Sequence, residues 1–168
     1  MPLLRPSERF RDAALAILCR EHAGLRDAGV PGELVLVGGT SVPGALTRGD
    51  VDLHLRVDPN SFADAVERLR GLHPVVHPEI WQPTLATFEV AEALPTGIAV
   101  TPIGSEHDVR FTRTWAILAA RPDLLAEYNA VKLAGPDASR ARGTGADTDL
   151  DPGYEERKSA FFDRILAE

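Results

Sequence analysis

Two aspartates, Asp50 and Asp52, stand one residue apart in the run Asp50-Val51-Asp52-Leu53-His54-Leu55. In an extended strand alternate side chains share a face, so Asp50, Asp52 and His54 project together while Val51, Leu53, Leu55 and Val57 face a core. Two carboxylates on one face repel unless they are protonated or bridged by a cation, and such hard oxygen donors suit Mg²⁺ or Mn²⁺. Just upstream, the apolar run Leu34-Val35-Leu36-Val37 stops at Gly38-Gly39 and is followed by Thr40 and Ser41. Glycines let backbone N–H groups come close to a ligand, and the two hydroxyls can meet phosphate oxygens. Strand, glycine turn and acidic strand together form the layout of a metal edge beside a phosphate cradle. The plainer alternative is an acidic strand face in solvent, and His54 reads as a solvated strand residue.

Two further constellations could face such a ligand. Tyr128 and Lys132 are spaced i, i+4 on one predicted helix, and Tyr154 and Lys158 repeat the spacing on another. Each pair shares a helix face, and Lys158 also shares its face with Phe161 and Ile165, an apolar stripe where a cation is unexpected. Lys132 and Lys158 are therefore candidate phosphate contacts, with Tyr154 stacking or hydrogen-bonding beside them. The alternative is a lysine stem lying over apolar surface with its ammonium in water. Arg48, at the end of the turn, is a further candidate phosphate ligand. The five histidines form no metal-binding spacing, and Cys19 reads as a small packed residue of a helix.

The elements that must position these groups follow from periodicity. Ser7 is placed to cap a first helix carrying Phe10, Ala14, Ile17, Leu18 and Leu25, which Gly29, Pro31 and Gly32 end. Strands at 34–37 and 50–57 are followed by a helix starting at Asp58-Pro59-Asn60, with Phe62, Ala65, Val66 and Leu69 on one face. Segments 84–92 and 97–103 read as a hairpin around Pro95-Thr96-Gly97. Ser105 caps a third helix, Pro122 opens a fourth, and 154–166 closes the chain. Residues 135–153, rich in Gly, Asp, Ser and Pro, read as a mobile loop. The expectation is one α/β domain over 1–168, a small mixed β-sheet flanked by helices with a C-terminal helical part.

Bulk composition narrows the function. A net charge of −7 argues against a nucleic-acid partner, which needs a basic footprint. It permits a cationic acceptor or a nucleotide arriving with a divalent metal. No apolar run approaches membrane-spanning length, Arg5, Glu8 and Arg9 interrupt any leader-like core, and a lone cysteine offers no internal disulfide. A cytoplasmic protein is the expectation.

The segment GGTSVPGALTRGDVDL resembles the motif of the GrpB family within the nucleotidyltransferase superfamily. That motif runs approximately Gly-Ser-Thr-Ala-Val-Pro-Gly-Leu, then Lys-Pro and Ile-Asp-Ile. Gly38, Thr40, Val42, Pro43 and Gly44 match it, Arg48 stands at its lysine and Asp52 at its aspartate. The stretch from Gly104 ending in Tyr128-x-x-x-Lys132, and YEERKSAFFDRIL from Tyr154, are similar to two later family segments. Three departures stand out: Gly39 replaces a serine, Gly49 a proline, and Asp50 an apolar residue.

The resemblance implies a nucleotidyltransferase-like fold. It further implies metal-dependent transfer of a nucleoside monophosphate from NTP to a small acceptor, with two Mg²⁺ or Mn²⁺ ions held by three carboxylates. Asp50 and Asp52 would be two of these. Glu89, opposite in phase to Phe88 and Val90, is the candidate third, whereas Ala99 and Thr101 on the other hairpin strand offer none. The alternative is a module of the same fold that binds a nucleotide or CoA-related metabolite without turnover, since family domains occur fused to dephospho-coenzyme A kinase.

Overall fold

These periodicities resolve into six strands and five helices among residues 3–134 and 152–168, the residues described by a computed structural model. The N-terminal strand β1 (Arg5–Pro6) leads into helix α1 (Arg11–Asp27), then strand β2 (Glu33–Val37). After the glycine turn come the short β3 (Leu46–Thr47), β4 (Val51–Val57) and helix α2 (Phe62–Arg70). The hairpin is β5 (Ala86–Val90) and β6 (Thr96–Pro102), and the helices α3 (Glu106–Ala120), α4 (Pro122–Leu133) and α5 (Pro152–Ala167) complete the order. The loop expected at 135–153 lies outside the described residues except for Pro152 and Gly153, which belong to α5.

The main sheet is mixed, in the order β2–β4–β6–β5. β4 pairs antiparallel with β2 and parallel with β6, and β5 pairs antiparallel with β6. A parallel pair requires a long crossover, and α2 with β5 fills it. The hairpin forms as expected, but β6 starts at Thr96, so its turn lies one residue earlier than the Pro95-Thr96-Gly97 reading. One sheet face, with Val51, Leu53, Leu55, Val57, Phe88, Ile98 and Val100, packs on Ala14, Ile17 and Leu25 of α1 and Ala65, Val66 and Leu69 of α2. A second core joins Leu118, Leu124, Tyr128, Phe161, Phe162 and Ile165 of α3–α5 to Val42 and Ala45 of the loop after the glycine turn.

Some local expectations change on contact with tertiary structure. Ser7 does not cap α1: its hydroxyl donates to the Val42 carbonyl at 2.6 Å, tying the N-terminus to the turn. Ser105 does cap α3, accepting from the Asp108 N–H. Cys19 is exposed rather than packed, because its neighbours Ile17 and Leu18 supply the buried side of α1.

His54 is the largest correction. It is 0% exposed rather than solvated, because α3 covers the polar face of β4 beyond Asp52. Its Nε2 pairs with Thr101 Oγ1 at 2.7 Å, and Phe111 packs edge-on against its ring. Beside it Arg56 donates to both Asp108 oxygens, at 2.6 and 3.1 Å, while His54 Nδ1 is buried without a hydrogen-bond partner.

Burial lowers the His54 pKa to about 4, with the nearby Asp108 opposing the shift and Arg56 adding to it. Between pH 6.5 and 4 the unfolded chain therefore takes up a proton that the folded chain refuses, so stability is full above 6.5 and falls with acidification. Urea unfolding should show a loss of about 2 kcal/mol between pH 7 and pH 5 from this residue. His54→Gln should flatten that slope. An identical slope in the variant would refute the assignment.

Candidate functional site

At the end of β2 the chain turns sharply because residue 38 adopts φ +76°, ψ −176°, a region essentially confined to glycine. The turn then makes a short 3-10 segment over Gly39–Ser41. Register pairs Val37 with Asp52, so the Asp52 carboxyl group folds directly over Gly38. A Cβ there would stand 2.0 Å from Asp52 Oδ2 and 2.8 Å from its carboxyl carbon. Thr40 is buried and its hydroxyl donates to the Asp50 carbonyl at 2.5 Å, while the Ser41 hydroxyl donates to the Gly38 carbonyl at 2.7 Å. Both hydroxyls thus brace the turn itself. Gly49 is required as well: at φ +100°, its Cβ would fall 2.7 Å from the Phe10 ring. The result is a rigid edge on which Asp50 and Asp52 are both exposed.

The opposite wall comes from α4 and α5. Lys132 Nζ donates to the Leu46 carbonyl and lies 4.5 Å over the Tyr128 ring. It reaches the turn closely enough that a Cβ on Gly39 would be 2.9 Å away. Burial lowers the Lys132 pKa to about 8; Lys158 and Arg48 push it the same way and the carboxylates of Asp52 and Asp50 oppose them. Tyr128 and Tyr154 are both buried and hydrogen-bonded to each other through their hydroxyls. Lys158 lies 5.7 Å over the Tyr154 ring and 3.5 Å from Glu155. The apolar stripe that made Lys158 look anomalous is the second core, with Phe161 and Ile165 beneath it.

The fold therefore brings Gly38, Gly39, Asp50, Asp52, Arg48, Lys132, Tyr154 and Lys158 into one neighbourhood, the candidate cleft. Glu89 is not among them. It faces solvent on β5, with Gly97 of β6 between it and Asp52 in the same cross-strand row. Two strand spacings put its backbone about 10 Å from that of Asp52. The residue next to Asp52 on the neighbouring strand is thus a glycine, at the position where a third acid would be nearest. Sequence reasoning missed Asn129, whose side chain also meets the turn; a poor helix former amid Tyr128 and Lys132 was its signal.

The donor set bears on the metal the fold family implies. Among the described residues no group of three or more His, Cys, Asp or Glu side chains gathers to hold an ion. Mg²⁺ is commonly held by one or two carboxylates with substrate phosphates and water filling its other positions. Asp50 and Asp52 fit one such ion, and a second would lack its share of carboxylates.

The family profile described as GrpB protein matches residues 10–168. The chain belongs to the GrpB family. The crystal structure of the conserved protein GrpB from Enterococcus faecalis is similar in fold, with a TM-score of 0.64 at 12% identity over 98% of this chain and 99% of that one. Two structures of the Cid1 poly(U) polymerase are also similar. The first is a variant bound to MgATP, with TM-score 0.53, 15% identity, and 77% of this chain matched to 42% of that one. The second is a complex with the short product ApU, with TM-score 0.50, 14% identity, and 77% matched to 41%. No curated protein matches by sequence. The GrpB family fold is thus a nucleotidyltransferase-like mixed α/β fold, as the motif implied, and no described helix is long and apolar enough to cross a membrane.

The Gly38 contact is directly testable. Gly38→Ala places a methyl group on the Asp52 carboxylate and forces an L-residue into a glycine-only conformation. It should cost about 2 kcal/mol or more in urea unfolding. A cost near zero would mean that the turn and carboxylate are not packed this way.

Proposed function

We propose that the cleft binds a nucleotide or related phosphorylated small molecule, CoA-type compounds included, together with one divalent cation. The observation that carries this reading is the Lys132 ammonium, half-buried against the glycine turn within electrostatic reach of Asp50 and Asp52. A cation held away from water costs free energy unless an anion compensates it. Asp50 and Asp52 offset part of the Lys132 charge, and an acidic edge beside an ammonium suits a ligand that brings a divalent cation together with phosphate. The carboxylates would hold the ion; Lys132, Lys158 and Arg48 would neutralise phosphate oxygens beyond its reach, and the Gly38–Gly39 turn would let those oxygens approach the backbone. When bound, the ion supplies charge neutralisation and orients the phosphate.

A second reading is transfer of a nucleoside monophosphate from NTP to a small acceptor. The complete Asp50-x-Asp52 pair and the fold shared with Cid1 favour it. Against it stands Gly97, which leaves the strand beside Asp52 without the acid that a two-ion reaction needs.

A thermal-shift panel of ATP, UTP, pyrophosphate, CoA and dephospho-CoA, each with and without Mg²⁺ or Mn²⁺, separates these readings from failure. At least one compound should stabilise the protein in a metal-dependent way, by about 2–3 kcal/mol at a hundredfold excess over Kd, and Asp52→Asn should abolish the effect. Equal stabilisation of Asp52→Asn would remove the metal role. Pyrophosphate release that Asp50→Asn abolishes would instead favour transfer.

The lysine gives a second measurement. A polyanion binds the protonated ammonium, so affinity should be full below about pH 8 and decline as pH rises through the folded-state value. Calorimetric titration with pyrophosphate at pH 7 and pH 9.5 should show the decline in the wild type and a much weaker one in Lys132→Arg. A flat wild-type profile would exclude Lys132 as a phosphate contact.

A further inference from the structure

Three residues of α4, at i, i+4 and i+7, run along the loop that follows the glycine turn. Leu125 covers Gly44, where a Cβ would stand 3.4 Å from its Cδ2. Asn129 Oδ1 accepts from the Leu46 N–H at 2.8 Å, and Asn129 Nδ2 donates to the Gly44 carbonyl at 2.9 Å. Lys132 Nζ donates to the Leu46 carbonyl. A carbonyl at one residue and an N–H two residues on point to the same side of an extended chain, and both are normally taken by a neighbouring strand. Here β1 pairs with one edge of β3, matching Pro6 to Leu46, and the amide of Asn129 takes the other edge.

We propose that Asn129 is a positioning residue of the ligand cleft: it fixes the Leu46 peptide, and the Leu46 carbonyl seats the Lys132 ammonium in the notch that Gly39 leaves empty. The amide is the one small side chain suited to this, because it donates and accepts at once. Aspartate keeps the bond to the Leu46 N–H but has no proton for the Gly44 carbonyl. Leucine, of similar volume, has neither. The segment so fixed runs through Thr47 and Gly49 into Asp50, so one side chain sets the spacing between the lysine wall and the carboxylate wall. The ligand part of this inference rests on the phosphate-binding reading above.

A double-mutant cycle distinguishes positioning from simple support of the fold. With pyrophosphate and MgATP as probes in calorimetry, Asn129→Leu should weaken binding about tenfold in the wild type, the loss of one net hydrogen bond's worth of affinity. In the Lys132→Met background it should weaken binding less than about twofold, because the residue through which it acts is gone. Asn129→Asp should fall between the wild type and Asn129→Leu. Equal losses in both backgrounds, or no loss in the wild type, would overturn the proposal. A ligand-free readout keeps it separate from the fate of the cleft reading. The ¹H–¹⁵Nζ cross-peak of Lys132, slowed in exchange by its seat on Leu46, should be visible in the wild type and vanish in Asn129→Leu while backbone spectra show a folded protein. If it persists unchanged, Asn129 does not seat the lysine. If neither probe binds the wild type, the phosphate-binding reading fails, and the cross-peak alone decides the seating of Lys132.

Discussion

The Asp52 carboxyl group occupies the space that a side chain at residue 38 would need. That contact sets the path of the chain. It demands a glycine at the end of β2, and the glycine conformation turns the backbone back through Gly39 and Thr40. The buried Thr40 hydroxyl then grips the Asp50 carbonyl, so the turn and the acidic strand become one rigid unit. Asp50 and Asp52 are consequently held on an exposed edge whose geometry is fixed by backbone packing rather than by side-chain partners alone. Pre-organisation of this kind reduces the ordering cost of binding, and it is the property that a site for a small charged ligand needs.

The cleft's second wall is built on different physics. Its Tyr128 belongs to an aromatic cluster in which Trp115, Phe161 and Phe162 surround it at centroid distances of 5.5 to 5.9 Å. That cluster is apolar enough to depress the Lys132 pKa, yet the ammonium is given a carbonyl and a ring face to rest on. The wall therefore presents a half-buried, partly desolvated cation. A rigid acidic edge opposite a partly dry basic face is the arrangement on which the proposed phosphate-and-metal ligand rests.

How much of this was legible in the sequence depended on range. The strand–turn–strand unit was readable because its signals are local: an apolar run, a glycine stop and a period-two alternation between Val51 and Val57. The same alternation misread His54, since periodicity says which side chains share a face but not what covers that face; α3, fifty residues later, does. The oddity of Lys158 on an apolar stripe reflected the second core, to which Phe161 and Ile165 of that stripe belong. Asn129 escaped because its partners are backbone atoms of Gly44 and Leu46, which carry no residue-type signature at a separation of more than eighty positions. Glu89 was correctly phased to face away from Phe88, but phase along one strand cannot reveal that a glycine-bearing strand intervenes.

Val42 and Ala45, within the motif loop itself, are buried in the same core as Leu124, Phe161 and Ile165. The loop is therefore a keel for the helical half as well as the rim of a cleft. A descendant that lost every chemical use for the cleft would still be penalised for altering this loop, because the substitutions would unseat α4 and α5. Persistence of the Gly-Gly-Thr-Ser-Val-Pro-Gly signature in a related chain is thus no guarantee of turnover there. Loss of Asp50 with the loop intact would be the more telling change, for that carboxylate is exposed and lies outside both hydrophobic cores.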